Sequence, residues 1–193
     1  MEEYTNQVQI GEKLLEIKDL SIVYKTDLET VRAVNGISFS LREGETLGLV
    51  GETGAGKTTT ALGIMKLLPE RTARITSGQI LFEDRDICGL DNHEMQQIRG
   101  QKISMIFQDP MTALNPVLTV GEQIGEALYL HHQKELSAKE IEQKVEETLE
   151  LVGIPSERHG EYPHQFSGGM KQRVVIAIAL SCNPELLLAD EPT

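Results

Sequence analysis

The residues GETGAGKT, positions 51–58, fit the spacing G-x-x-x-x-G-K-[ST], a pattern that suits a polyphosphate. Glycine at 51, 54 and 56 lets the backbone turn tightly and aim successive N–H groups at phosphate oxygens. Lys57 adds a full positive charge for the β- and γ-phosphates, and the Thr58 hydroxyl is of the type that ligates Mg²⁺. A helix opening here adds its positive end. The alternative, an ordinary strand-to-helix turn, loses ground because an apolar run precedes the loop and a helical pattern follows it. Such a loop calls for a metal-binding carboxylate at the end of another buried strand. The run LLLAD, 186–190, offers Asp190 at that point, and Glu191 follows, placed to polarise an attacking water. Alone, an apolar run ending in Asp-Glu often marks only the end of a strand. A second anion site is legible in FSGGMKQR, 166–173: Ser167 caps a helix whose first turn, with Gly168 and Gly169, leaves N–H groups open to a phosphate. A capped helix without a ligand is the alternative there.

Three kinds of element must carry these groups. Residues 14–24 and 31–41 are rich in β-branched and aliphatic side chains and flank the polar KTDLET, which predicts an antiparallel β-unit. After Gly44, TLGLV (46–50) is expected to be a buried strand feeding the loop, and TTTALGIMKLL a helix ended by Pro69, with Leu62, Met65 and Leu68 at helical spacing. Further strands are expected at 77–83 and 103–107, separated by a short helix near 93–99. Ser137 and Glu140 form an S-x-x-E capping box for a helix over 137–152, with Ile141, Val145, Leu149 and Val152 on one face. Its Glu and Lys residues then make a solvated surface rather than a binding site. Gly153, Ile154 and Pro155 stop it, a second helix runs from Ser167 to about Ser181, and 186–190 closes the series.

Composition bounds the setting. The sequence has 193 residues, 39% hydrophobic and 25% charged, which describes a globular chain. With 18 Lys and Arg against 30 Asp and Glu the formal charge is −12, which argues against a nucleic-acid partner bound by bulk electrostatics. The longest apolar stretch, 174–180, falls far short of the roughly 20 residues that cross a bilayer. The start, MEEYTNQVQ, lacks the regions of a secretory signal, so a cytoplasmic location is expected. Cys88 and Cys182 form no CxxC pair, and neither a disulfide framework nor a metal site is expected from them. The pair His131 and His132 has no carboxylate or thiol cluster beside it and reads as an exposed helix end.

Taken with the loop and with Asp190–Glu191, FSGGMKQR resembles the LSGGQ signature of ABC ATPases. The resemblance implies an α/β fold of the P-loop NTPase class: a RecA-like core with an antiparallel β-subdomain and an inserted α-helical subdomain. One incomplete nucleotide-binding domain is implied over 1–193, with about 12–108 and 184–193 as core and about 109–183 as the helical subdomain. It implies ATP held by Gly51, Glu52, Thr53, Gly54, Ala55, Gly56, Lys57, Thr58 and Thr59, with Mg²⁺ on Thr58, Gln108 and Asp190. Gln108 corresponds to the family's Q-loop glutamine, which joins Glu191 and Lys57 as the catalytic set. Tyr24 corresponds to the aromatic that stacks on adenine, although a packed strand aromatic is equally consistent with its position. Phe166, Ser167, Gly168, Gly169 and Met170 are implied to act on ATP held by another subunit. None of the histidines at 93, 131, 132, 159 and 164 falls after Asp190, where the family's switch histidine belongs.

The segments IFQDPMTALNPVLTVGEQI (106–124) and YPHQFSGGMKQR (162–173) look like the ATP-binding subunits of oligopeptide, dipeptide and nickel importers. Phe166 and Met170 replace the generic Leu and Gln, as is usual in that subfamily, and Asp84 stands in a turn where Gly is common. The expected function is ATP binding and hydrolysis that energises uptake of di- or oligopeptides, with nickel or another solute as the alternative cargo. The implied partners are a second, related ATP-binding subunit, transmembrane permease subunits and, indirectly, an extracytoplasmic substrate-binding protein. The implied place is the cytoplasmic face of the inner membrane. A soluble ABC ATPase of DNA repair or translation is the competing class, but 108–167 is too short for the long coiled-coil insertion of the repair enzymes. Because the family pattern continues past DEPT, the sequence is read as a fragment with weak or absent ATPase activity of its own.

Overall fold

The computed structural model describes residues 11–26, 29–108, 110–132 and 136–191. The chain divides into two compact units, Met1–Asp91 and Asn92–Thr193. The first ten residues and part of the 25–30 turn lie outside the described residues.

The first unit is built on a four-stranded antiparallel sheet in the order β2-β1-β3-β4, from β1 (Lys13–Lys25), β2 (Thr30–Arg42), β3 (Ala73–Phe82) and β4 (Arg85–Asp86). The expected β-unit is therefore present, with β3 starting four residues earlier than the sequence pattern predicts. A strict period of two would put Ile17 and Leu20 on opposite faces. Both are buried because the pairing shifts register between them, on either side of β1. Asp19 sits in that irregularity at φ 45°, and its amide donates to Ser38 Oγ at 2.8 Å. Opposite it, Gly78 has φ 92°, and a Cβ there would lie 2.5 Å from the carbonyl oxygens of Lys18 and Asp19, so only glycine fits.

Helix α1 (Lys57–Ile64) buries Thr60, Gly63 and Ile64. A Cβ on Gly63 would come 3.1 Å from Ile22 Cδ1, so the bare glycine brings the helix close to β1. The helix is shorter than its sequence pattern suggests. It ends with Lys66 at φ 51°, whose ammonium donates to the carbonyls of Cys88 and Leu90, and stops before Pro69 is reached. A second difference is larger. Residues 46–50, expected as a buried strand, lie in no strand and are exposed, Val50 at 94%. A strand exists only by pairing, and this segment has no strand partner among the described residues.

The second unit pairs β5 (Ile103–Ile106) with β6 (Leu186–Ala189) in parallel, Ile103 opposite Leu186 and Ile106 opposite Ala189. Before β5 lies α2 (Asn92–Ile98), close to the predicted 93–99. Between the two strands run α3 (Pro110–Ala113), α4 (Val120–His132), α5 (Ala138–Leu151) and α6 (Gly168–Leu180). The apolar faces of α4, α5 and α6 share one core that includes Ile124, Leu128, Leu149, Ile154, Phe166 and Val174. The capping box is formed as expected: Ser137 Oγ accepts from Glu140 N, while Ser137 N donates to Glu140 Oε2 at 2.7 Å. β6 is less enclosed than its composition suggests, with Leu186 buried and Leu187 39% exposed.

Candidate functional site

In the first unit the glycine-rich turn leads directly into α1. Gly54 and Gly56 have φ of 83° and 86°, values that L side chains adopt at a cost. At Gly56 a Cβ would stand 2.3 Å from Ala33 O and 3.1 Å from Val34 Cγ2, so β2 presses against the loop and excludes any side chain there. No side chain caps α1, because its N-cap is Gly56 itself. The helix end is thus shaped for an external anion rather than an internal cap. Thr60 Oγ1 and Thr60 N both donate to Gly56 O at 2.8 Å, which fixes the last residue of the turn.

The Lys57 ammonium curls back over this turn and donates to Gly51 O at 2.7 Å and Glu52 O at 3.2 Å. Ala55 N donates to Glu52 O at 3.0 Å and closes the loop beneath it. Two carbonyls hold the cation at the centre of a ring of backbone, and a phosphate could take their place at the ammonium. Tyr24 lies near the end of β1, paired with Val31 and Ala73, and is half-buried. Both of its readings, packed strand aromatic and exposed stacking surface, fit that placement.

In the second unit the parallel pairing brings together Gln108 and Glu191, which are 83 positions apart in sequence. Asp190 N donates to Ile106 O at 3.0 Å and extends the ladder by one residue beyond β6. Gln108 Nε2 donates to Glu191 Oε2 at 2.7 Å. Asp190 is 8% exposed, whereas Gln108 and Glu191 face solvent. Glu191 has φ 48°, a left-handed backbone that turns the chain sharply after the buried Asp190. Within the second unit the Asp190 carboxylate and the Gln108 amide offer oxygen donors of the kind Mg²⁺ takes, and in the first unit the Thr58 hydroxyl is another oxygen of that kind. Among the described residues no group of three or more His, Cys, Asp or Glu could cage a metal by itself.

The third group opens α6. Ser167 is the N-cap and its Oγ accepts from Met170 N at 3.4 Å. A Cβ on Gly168 or Gly169 would meet nothing within 4 Å, so this turn presents its backbone to open space. Phe166 is buried at 5% exposure and anchors the turn from below. Two side chains that the sequence reading passed over support these groups. Gln123 on α4 is buried, accepts from Asn115 N at 2.8 Å and donates to Asn115 O at 3.0 Å and Leu118 O at 3.1 Å, so it holds the loop between α3 and α4. Arg158 reaches the signature turn from the 3₁₀ segment Ser156–Gly160. The only signal for Gln123 would have been a polar residue on the apolar face of α4. For Arg158 it would have been the charged Arg-x-x-Glu spacing just before the signature.

A family model described as ABC transporter matches residues 34–193. The dipeptide transport ATP-binding protein DppD of Bacillus subtilis (strain 168) is 55% identical over 184 residues, which covers 94% of this chain and 54% of that protein. The oligopeptide transport ATP-binding protein OppD of Escherichia coli (strain K12) is 50% identical over 187 residues, covering 96% and 54% respectively. The chain spans about half the length of the curated relatives it matches. Among solved structures, the dimeric post-hydrolysis state of the ATP-binding cassette MJ0796 bound to ADP and Pi superposes with a TM-score of 0.82 at 30% identity, over 93% of this chain and 75% of that one.

Proposed function

The chain belongs to the ABC transporter family, and from that premise we propose that the whole protein binds and hydrolyses ATP to energise uptake of di- or oligopeptides across the cytoplasmic membrane. The observation that carries the substrate class is the 55% identity to a dipeptide transport ATP-binding protein over 94% of the chain. Residues 51–59 take the phosphates of ATP: Lys57 exchanges the carbonyls of Gly51 and Glu52 for phosphate oxygens, and the uncapped start of α1 adds its N–H groups. Tyr24 supplies the adenine-stacking surface. Thr58, Asp190 and Gln108 would hold Mg²⁺, which when bound neutralises charge on the phosphates. Glu191 orients the attacking water and accepts its proton, and Gln108 steadies that carboxylate through the 2.7 Å hydrogen bond.

The turn Phe166–Ser167–Gly168–Gly169–Met170 acts on the ATP of a second, related ATP-binding subunit, so each nucleotide is enclosed by two protomers. The segment 109–183 is the inserted helical subdomain, with 12–108 and 184–193 as the core. Its support is topological: the chain leaves at the end of β5 and returns at the neighbouring β6, as an insertion between adjacent strands must. No helix among the described residues is long and apolar enough to cross a membrane. In this reading permease subunits provide the passage, an extracytoplasmic binding protein delivers cargo to them, and this subunit sits at the cytoplasmic face, as the resemblance to peptide transport ATP-binding proteins implies. Peptide uptake by vesicles carrying the assembled transporter tests the reading. Uptake of a labelled dipeptide should depend on ATP and vanish in Lys57→Ala, whereas uptake of nickel alone would overturn the substrate class.

A further inference from the structure

The open glycine turn at 167–169 has little of its own to set its direction. The capping bond from Met170 N to Ser167 Oγ is long at 3.4 Å, and neither Gly168 nor Gly169 has a packing side chain. One side chain grips both flanks of the turn. The Arg158 guanidinium lies 4.3 Å from the centroid of the Phe166 ring. Its Nη2 donates to Gln165 O at 3.3 Å, and its Nη1 lies 3.5 Å from Met170 Sδ. The residues just before the cap and the residue that closes the first turn thus share one planar cation.

That cation is itself held in place. Nε and Nη2 both donate to Glu161 Oε2, at 3.0 and 2.5 Å, a fork that fixes the guanidinium plane above the ring. Glu161 is held below the usual carboxylate range, first by its hydrogen bond from Arg158, so the pair stays ionic at neutral pH. A guanidinium matched by a carboxylate and stacked on a ring is a poor phosphate ligand and a good brace. Lysine could supply the charge but neither the fork nor the flat stacking face.

We propose that Arg158 is a positioning residue that aims the Ser167–Gly169 turn at the ATP held by the opposing subunit, acting through Phe166, Gln165 and Met170. This rests on the reading of that turn as the trans anion site. The brace then matters to closure of two subunits around ATP and not to capture of ATP by the phosphate loop.

The test uses the whole protein carrying Glu191→Gln to block turnover, mixed with the related ATP-binding subunit of the same transporter, with ATP-driven dimerisation of the pair followed by light scattering and ATP affinity measured separately on the protein alone. Arg158→Ala should raise the ATP concentration needed for dimerisation about tenfold and leave monomer affinity within about twofold, while Arg158→Lys recovers part of the difference. Glu161→Gln, which keeps ring and guanidinium but frees the fork, should shift the same midpoint about threefold. It decides the matter if Arg158→Ala does not fold. Parent-like dimerisation in a folded Arg158→Ala, or in Glu161→Gln where that variant must decide, overturns the proposal. An equal loss of monomer affinity overturns it as well. If the background protein binds ATP without dimerising with the related subunit, the trans reading of the signature turn fails, and the proposal fails with it by a separate, recognisable route.

Discussion

Gln108 and Glu191 meet across 2.7 Å, the amide Nε2 donating to the carboxylate Oε2, at the ends of two neighbouring parallel strands. The contact couples the segment that leaves β5 for the helices to the residue proposed to orient water. A carboxylate with one oxygen fixed by a donor keeps its other oxygen in a defined direction. At saturating Mg²⁺, replacing Gln108 with Ala should lower kcat about tenfold, because Glu191 loses its orienting donor, and should raise the Mg²⁺ concentration needed for activity. Steady-state kinetics that showed a raised KM with unchanged kcat would instead assign Gln108 to binding.

Lys57→Ala should abolish detectable ATP binding. The ammonium is a full positive charge at the centre of the 51–56 turn, where it bridges the carbonyls of Gly51 and Glu52. A nucleotide titration with unchanged affinity would remove Lys57 from the site.

Gly56→Ala tests the backbone of the same loop. A Cβ there would stand 2.3 Å from Ala33 O, and φ 86° adds a further ~1–2 kcal/mol for any L side chain. The variant should lose ATP affinity at least as severely as Gly54→Ala, where φ is equally left-handed but the Cβ position is open. Equal, mild effects at both would mean that the press of β2 on the loop has no part in shaping it.

Ser137→Ala removes the reciprocal cap of α5 and should cost about 1 kcal/mol of unfolding free energy at neutral pH. Glu140 is held below the ordinary carboxylate range, first by its hydrogen bond from the Ser137 hydroxyl and then by the Ser137 amide. A carboxylate whose folded value is depressed contributes stability above its unfolded value and loses it as pH falls through the folded one. The difference between parent and variant in thermal unfolding should therefore shrink in the acid range, below the usual carboxylate titration. A difference that grew on acidification would contradict the assigned cap.

Much of this molecule can be read from sequence because its signals are local. The Ser137–Glu140 box, the left-handed glycines at 54 and 56 and the cap at Ser167 depend on residues within a few positions of one another. That LLLAD forms a strand with Asp190 just past its end is likewise legible, since the phosphate loop calls for a carboxylate at the end of another strand. Residues 46–50 show the limit: an apolar run states that a segment could be a strand, but only a pairing partner makes it one. The bulge at Asp19 and Gly78 escaped notice because it lies in the pairing of three strands, not in any one of them. The roles of Arg158 and Gln123 are not legible for a different reason: their partners are nearby in sequence, but they are backbone carbonyls and a ring that come within reach only once the intervening loops fold.

The most direct test of the central claim is ATP turnover by the whole protein with and without Glu191→Gln, read alongside the amount of ATP retained. The account predicts that the parent hydrolyses ATP, while the variant binds it with similar affinity, turns over at least ~100-fold more slowly and, with the related ATP-binding subunit present, accumulates an ATP-bound dimer. Turnover by Glu191→Gln equal to that of the parent would contradict it.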